Sequence, residues 1–195
     1  MKFLIAIAFF VVTGVSSFAG TPDELINLFK GADTLKIVFN QKTEIPVAGD
    51  EVSLYTGVIY YKRPSKFRWE YTRGADVLIV SDGKLLKSSI EGDCQVEELK
   101  GEPLFPLIEL IDSPERFKKD FKVKKIQKEG EWVAITIIPR YKDAFFKEIT
   151  FILKGGRLKE VRTLQEDGTL ATYQIEEIDK NIPLKESLFR VTPCR

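Results

Sequence analysis

Glycine-bearing steps two residues long punctuate this chain at short intervals: Asp82-Gly83, Gly92-Asp93, Glu129-Gly130, Gly155-Gly156 and Asp167-Gly168. Each divides runs rich in β-branched and aromatic residues. A short connection holding glycine fits the positive backbone angles of hairpin turns, whose twist matches the strands they join. The flanking runs are Asp76–Ser81, Lys84–Ile90, Phe121–Lys128, Glu131–Ile138, Ile149–Lys154, Arg157–Leu164 and Leu170–Ile178. With Leu35–Gln41, Leu54–Lys62, Phe67–Thr72 and one run after Gly92-Asp93, they predict about eleven strands in an antiparallel meander. The expected class is mainly β, with a small helical share.

Two places read as helix. Thr21-Pro22-Asp23-Glu24 is a capping box with proline at the first helical position, leading into Leu25, Ile26, Leu28 and Phe29. A second segment, Pro103 to Asp120, is broken by Pro106 and by a fresh start at Ser113-Pro114-Glu115. Leu104, Leu107, Ile108 and Ile111 form an apolar stripe on it. A sheet of about eleven strands must curl, and its concave face must be covered. Short helices cover it thinly, so the hollow is filled by side chains or by something else.

The first residues give a compartment. Lys2, an apolar run from Phe3 to Val12, and Ser17-Phe18-Ala19 describe a secretory signal peptide cleaved after Ala19, too short to span a bilayer. No cysteine lies near that junction, which argues against a lipid anchor. Residues 20–195 are then one exported domain. The chain has 30 Lys and Arg against 29 Asp and Glu, and removing Lys2 balances them. Neither sign predominates, so composition points to no nucleic acid and no anionic bilayer. Export makes a Cys94–Cys194 disulfide the expectation over two free thiols.

Catalytic patterns are scarce. The chain has no histidine, which removes Ser-His-Asp and Cys-His pairs and most zinc sites. Ser81-Asp82-Gly83-Lys84 fits a Ser-x-x-Lys nucleophile motif, but its serine and lysine flank a hairpin turn and no Lys-Thr-Gly accompanies it. Glu97-Glu98 and Glu176-Glu177 point to opposite faces of their strands and read as solvated charge. No enzyme, cofactor or metal is expected.

One stretch does carry a binding signal. In Tyr61-Lys62-Arg63-Pro64-Ser65-Lys66-Phe67-Arg68-Trp69-Glu70-Tyr71, the rings of Phe67, Trp69 and Tyr71 recur at period two and share one face. If the corner is the three residues Pro64–Lys66, Arg63 opposes Phe67, Tyr61 opposes Trp69 and Ile59 opposes Tyr71. If it is two residues, Tyr60 opposes Trp69 and Arg63 turns away; pattern alone leaves the register open. An ordinary aromatic core with Arg63 on its polar rim fits equally well. The three-residue register would bring a guanidinium to an apolar edge, where its donors need carbonyls such as those ending a covering helix.

These residues resemble the periplasmic outer-membrane-lipoprotein carrier (LolA) family. The likeness rests on Phe39-Asn40-Gln41, on Gly57-Val58-Ile59-Tyr60-Tyr61-Lys62-Arg63-Pro64 running into Phe67-Arg68-Trp69, on Leu78-Ile79-Val80-Ser81-Asp82-Gly83-Lys84 and on Phe189-Arg190-Val191-Thr192-Pro193. It implies an incomplete β-barrel whose apolar cavity is closed by short lid helices, with no catalysis. It further implies an acyl-binding cavity at Ile59, Tyr61, Phe67, Trp69 and Tyr71, and a lid and clasp formed by Arg63, Leu104, Leu107, Ile108 and Ile111. The implied partners are acylated lipoproteins, the inner-membrane lipoprotein-releasing ABC transporter (LolCDE) and the outer-membrane receptor (LolB), met by a monomer in the periplasm. A non-catalytic periplasmic lipid binder or envelope adaptor of the same fold is the alternative. The proline at 103 implies a lid of somewhat different shape.

Overall fold

The computed structural model describes residues 22–46, 51–99, 106–142 and 144–194. The export segment, its junction at Ala19, the Thr21 cap and Leu104 lie outside the described residues. Helix α1 covers Pro22–Leu28, α2 Pro106–Asp112 and α3 Pro114–Asp120. The strands are β1 (Thr34–Ile45), β2 (Glu51–Lys62), β3 (Lys66–Arg73), β4 (Val77–Asp82), β5 (Leu85–Ile90) and β6 (Asp93–Glu98), followed after the helices by β7 (Phe121–Glu129), β8 (Trp132–Pro139), β9 (Phe146–Lys154), β10 (Arg157–Gln165) and β11 (Leu170–Lys180). No helix among the described residues is long and apolar enough to cross a membrane.

All eleven strands form one antiparallel sheet in the order β6-β5-β4-β3-β2-β1-β11-β10-β9-β8-β7. Each expected hairpin is present, and the glycine steps sit where positive φ is needed: Gly155 and Gly156 at 54° and 73°, Gly83 at 94°. The meander is interrupted once. β1 pairs with β11, Leu35 opposite Lys180 and Glu44 opposite Leu170. That pairing sends β6 and β7, neighbours in sequence, to the two free edges of an open sheet. Their connection carries α2 and α3, the only described segment between them long enough to cover the inner face.

Alternation decides which face that is. Leu35, Ile37 and Phe39 on β1, Ile135 and Ile137 on β8, and Ile149, Phe151 and Leu153 on β9 are buried at every second place. Outward positions are polar: Lys36 pairs with Glu177 at 2.7 Å, and Asn40 donates to Glu176 at 2.8 Å. Leu25 and Phe29 from the α1 region, Ile108, Leu110 and Ile111 from α2, and Phe117 from α3 join the inward residues in one core. Helices of seven residues have little stability of their own. Burial of those aliphatics, ~1.5–3 kcal/mol each as an upper estimate, holds α2 in place.

The Arg63 corner differs from both expected registers. The turn is Arg63-Pro64-Ser65, so Tyr61 opposes Phe67, Ile59 opposes Trp69 and Gly57 opposes Tyr71. The slip is two residues, which keeps Ile59, Tyr61, Phe67 and Trp69 on the inner face. Ser65 at φ 55° accommodates the shifted corner. Fully buried Ser81, one strand away, donates its hydroxyl to the Ser65 carbonyl at 2.9 Å. That interaction ties the Lys-Arg-Pro corner to the Val-Ser-Asp-Gly turn and gives Ser81 a structural place. Ser113 occupies the α3 N-cap position without a side-chain cap bond.

After β11 the chain crosses back. Phe189, in a 3-10 turn over Glu186–Phe189, is buried, and Glu186 accepts hydrogen bonds from Lys62 and Lys66. Those two ammonium groups hold the exposed Glu186 carboxyl down to about 2. Cys94 and Cys194 are disulfide-bonded with their Cα atoms 5.7 Å apart, fastening the tail to edge strand β6. A loop of 100 residues makes this link worth at most ~4–5 kcal/mol. A non-reducing digest is expected to release one Cys94–Cys194 peptide pair, and Cys194→Ser to lower the urea midpoint; two freely alkylated thiols in oxidised protein would contradict the link.

Candidate functional site

The centre of the inner face is aromatic because one glycine makes room for it. A Cβ on Gly57 would lie 2.3 Å from the Phe39 ring, so only glycine lets that ring lie across β2. Phe39 then meets Trp69, Tyr71 and Tyr173 edge-on, at centroid separations of 5.5, 5.7 and 5.6 Å. Burial pushes the Tyr71 phenol up to about 12, and pushes Tyr173 higher still, so both stay neutral. Tyr71 donates to Gln41, which itself donates to Thr43 at 2.7 Å.

Beside this cluster lies an apolar void of about 50 Å³. Its floor is Phe39, Ile59, Trp69, Ile149 and Phe151, its roof Pro106 and Leu107, and Phe146 stands at its side. Pockets that hold organic ligands run to ~300–1,000 Å³, so side chains and the α2 roof already fill nearly all of this hollow. Two roomier depressions, about 480 and 400 Å³, have charged side chains among their linings, Lys42 and Arg73 in the first beside Leu54 and Tyr55, and Arg157 and Glu176 in the second.

The structure distributes the residues singled out in the sequence. Ile59, Trp69 and Leu107 line the void. Tyr61 and Phe67 are buried on the same face but outside its lining, and Tyr71 lies behind Phe39. Ile108 and Ile111 are buried on α2. Phe39, Phe146, Phe151 and Tyr173 were not singled out as lining. Phe39 and Phe151 carry the right period-two signal, but nothing in the pattern sets them apart from any core position.

At the far end of α2 the cover is fastened by polar groups. Arg63 donates to the carbonyls of Ile111 at 2.9 Å and Asp112 at 3.2 Å, the last two residues of the helix. A guanidinium there satisfies orphan carbonyls and faces the negative end of the helix dipole. Asp112 makes the fastening reciprocal. Its carboxylate accepts from the Tyr61 hydroxyl at 2.6 Å, the Ser65 hydroxyl at 2.6 Å and the Ser65 amide at 3.3 Å. Burial and then this hydrogen bond hold Tyr61 far above the usual phenol range. An acid in the last turn of a helix has the wrong sign for the dipole, the one sequence signal that could have exposed Asp112.

A second polar group sits inside the cover. Glu109 on α2 is buried, facing Asp120 and Arg116 of α3 and near Tyr141 after β8. Arg116 Nε lies 3.2 Å from its Oε1, but no aligned hydrogen bond reaches either oxygen among the described residues. Burial, followed by the Asp120 carboxylate, pushes Glu109 up to about 7 from an ordinary 4.5. The folded form therefore binds this proton more tightly than the unfolded chain does. Its contribution to stability is complete below about 4.5 and lost as pH rises through about 7. Thermal unfolding is expected to show lower stability at about pH 8 than at about pH 5, and Glu109→Gln to flatten that difference; an unchanged slope in the variant would assign it to other groups.

Comparison with known proteins agrees with this architecture. Residues 30–192 match the family described as Outer membrane lipoprotein carrier protein LolA. An outer-membrane lipoprotein carrier protein of Cupriavidus pinatubonensis is 28% identical over 195 residues, covering 96% of this chain and 90% of that protein. Another from Nitrosomonas europaea is 30% identical over 146 residues, covering 71% and 68%. An uncharacterized conserved protein of Thermus thermophilus shares the fold at TM-score 0.51 and 13% identity, covering 88% of this chain and 93% of that one. A match running through nearly every strand, onto an open sheet whose apolar face lies under a two-helix cover, makes this chain a member of the LolA family.

Proposed function

We propose that this chain carries acylated lipoproteins through the periplasm, sheltering their acyl chains between the inner face of the sheet and the α2–α3 cover. The observation that carries the reading is an apolar hollow almost filled beneath a short helix, which is held at one end by the Arg63 and Asp112 hydrogen bonds. Exposing one acyl chain of about sixteen carbons to water costs on the order of 12 kcal/mol, at ~0.8 per methylene. A carrier must therefore enclose the chain and still release it. A void of about 50 Å³ admits no such chain, so loading requires α2 to lift from Phe39, Ile59 and Trp69. Breaking a few polar contacts at one helix end frees the roof without unfolding the sheet.

In this reading Arg63 and Asp112 are the clasp, Leu107, Ile108 and Ile111 the apolar side of the lid, and Ile59 and Trp69 part of the floor. Tyr61, Phe67 and Tyr71 become accessible to acyl chains as the lid rises. Cargo comes from an inner-membrane releasing transporter of the LolCDE kind and passes to an outer-membrane acceptor of the LolB kind. The test is displacement of an apolar fluorescent probe from the purified protein. A diacylated lipoprotein peptide is expected to compete, and the same peptide without acyl chains to fail. Probe binding that only a lipid of another class displaces would favour a binder of that lipid.

A further inference from the structure

Net charge conceals a local asymmetry. The connection from β8 to β9 leaves Phe145 67% exposed and Tyr141 36% exposed. Phe145 packs edge-on against Phe146 at 4.8 Å, and Phe146 lines the hollow. Tyr141 rests against Phe121, whose carbonyl accepts from Arg140 Nε at 3.3 Å. Arg140 and Lys142 precede that ring in the same connection and Lys147 follows it two residues on, all three exposed themselves. Among the described residues none of these three has a carboxylate partner, while Glu148 is paired with Lys124, and Glu109 and Asp120, which act on Tyr141, share Arg116. Exposed aromatics, and cations without a carboxylate partner among the described residues, thus share one connection at the side of the apolar hollow.

We propose that this corner is a membrane-contacting surface, at which Phe145 enters the headgroup layer of an anionic bilayer while Arg140, Lys142 and Lys147 meet its phosphates. The occupant follows from charge: a cationic surface bearing one prominent aromatic ring complements an anionic, interfacial solvent. A solitary exposed ring is ordinary on a protein surface, but a ring flanked in sequence by three exposed cations and packed edge-on against a lining residue is not. The surface goes beyond the carrier reading and depends on it only for its use, which is to bring the hollow against the layer that acyl chains leave or enter.

The test is flotation of the acyl-free full chain with vesicles of phosphatidylglycerol mixed into phosphatidylcholine, and with phosphatidylcholine alone. The protein is expected to float with the anionic vesicles and to be released by added salt. Phe145→Ser should lower the partition coefficient about tenfold, for loss of one interfacial ring. Lys142→Glu should lower it roughly thirtyfold, two units of charge at about 1 kcal/mol each. Trp132→Ser, at an exposed ring on the opposite end of its hairpin, should leave it unchanged. Phe145→Trp should show blue-shifted emission on the anionic vesicles only. Absence of vesicle binding, equal binding to both compositions, or binding unaffected by Phe145→Ser overturns the proposal. Probe uptake by the same Phe145→Ser protein reports separately on the hollow, so failure of one reading is distinguishable from failure of the other.

Discussion

Arg63→Leu is expected to hold acyl cargo more tightly and release it more slowly than the unaltered chain. The side chain makes two charge-assisted hydrogen bonds to α2 carbonyls, and leucine makes none. Such bonds contribute about 1.5–3 kcal/mol each, but the guanidinium is 37% exposed, and water reduces the sum to roughly 2 kcal/mol. That change raises the population of the open form roughly thirtyfold, and apparent affinity rises with the fraction competent to bind. Arg63→Lys should fall between, because an ammonium cannot span two carbonyls as the planar fork does. Probe dissociation and hydrogen exchange of the α2 amides check the result. Wild-type release together with wild-type exchange in Arg63→Leu would reduce Arg63 to a rim charge.

Leu107→Glu is expected to free α2 as well, with the opposite consequence. Leu107 roofs the void over Phe39 and Trp69, so a carboxylate there faces an apolar hollow with no donor to meet it. An uncompensated buried charge costs about 3–5 kcal/mol, and lifting α2 lets it reach water. Exchange of α2 should therefore accelerate as in Arg63→Leu. Acyl affinity should instead fall by on the order of a hundredfold, because the bound chain would lie against the charge. The pair of variants separates lid opening from the apolar surface that opening exposes. Tighter binding by both would mean that Leu107 does not meet the cargo, and weaker binding by both would mean that opening α2 does not favour acyl binding. Circular dichroism checks that the sheet survives either change.

How much of this could be read from the sequence depends on whether the interaction is local. Hairpins are local, and Gly155-Gly156 or Asp82-Gly83 announce them through the backbone angles only glycine adopts freely. Strand count and inner face follow from the same short-range rules. The β1–β11 pairing is different: Leu35 and Lys180 come together only when the meander curls, and no pattern near either residue encodes the partner. For the same reason the free edges β6 and β7 could not be identified beforehand. The register at Arg63 was ambiguous because Pro64, Ser65 and Lys66 are all acceptable turn residues, and a two-residue slip preserves every inward ring.

The candidate site divides in the same way. Arg63 attracted attention as a charge beside rings. Its partner Asp112 did not, because its role depends on where α2 ends relative to the β2–β3 corner. Gly57 appeared only as part of a familiar string of residues; its reason is the Phe39 ring lying across it from the neighbouring strand. A balanced composition points to no anionic surface, but it says nothing of how Arg140, Lys142 and Lys147 flank Phe145 in one connection. A sum over the chain is blind to such local gathering.

Native mass spectrometry of Arg63→Leu, purified from the envelope of its own cell, tests the central claim most directly. The open-biased variant should retain what it collects, so the spectrum is expected to show the chain bound one-to-one to acylated polypeptides, with the unaltered protein largely empty beside it. Fragmentation should release diacyl and triacyl N-terminal peptides. A spectrum in which both proteins are empty, or in which the bound species carries no acyl chain, would contradict a hollow built to carry lipoproteins.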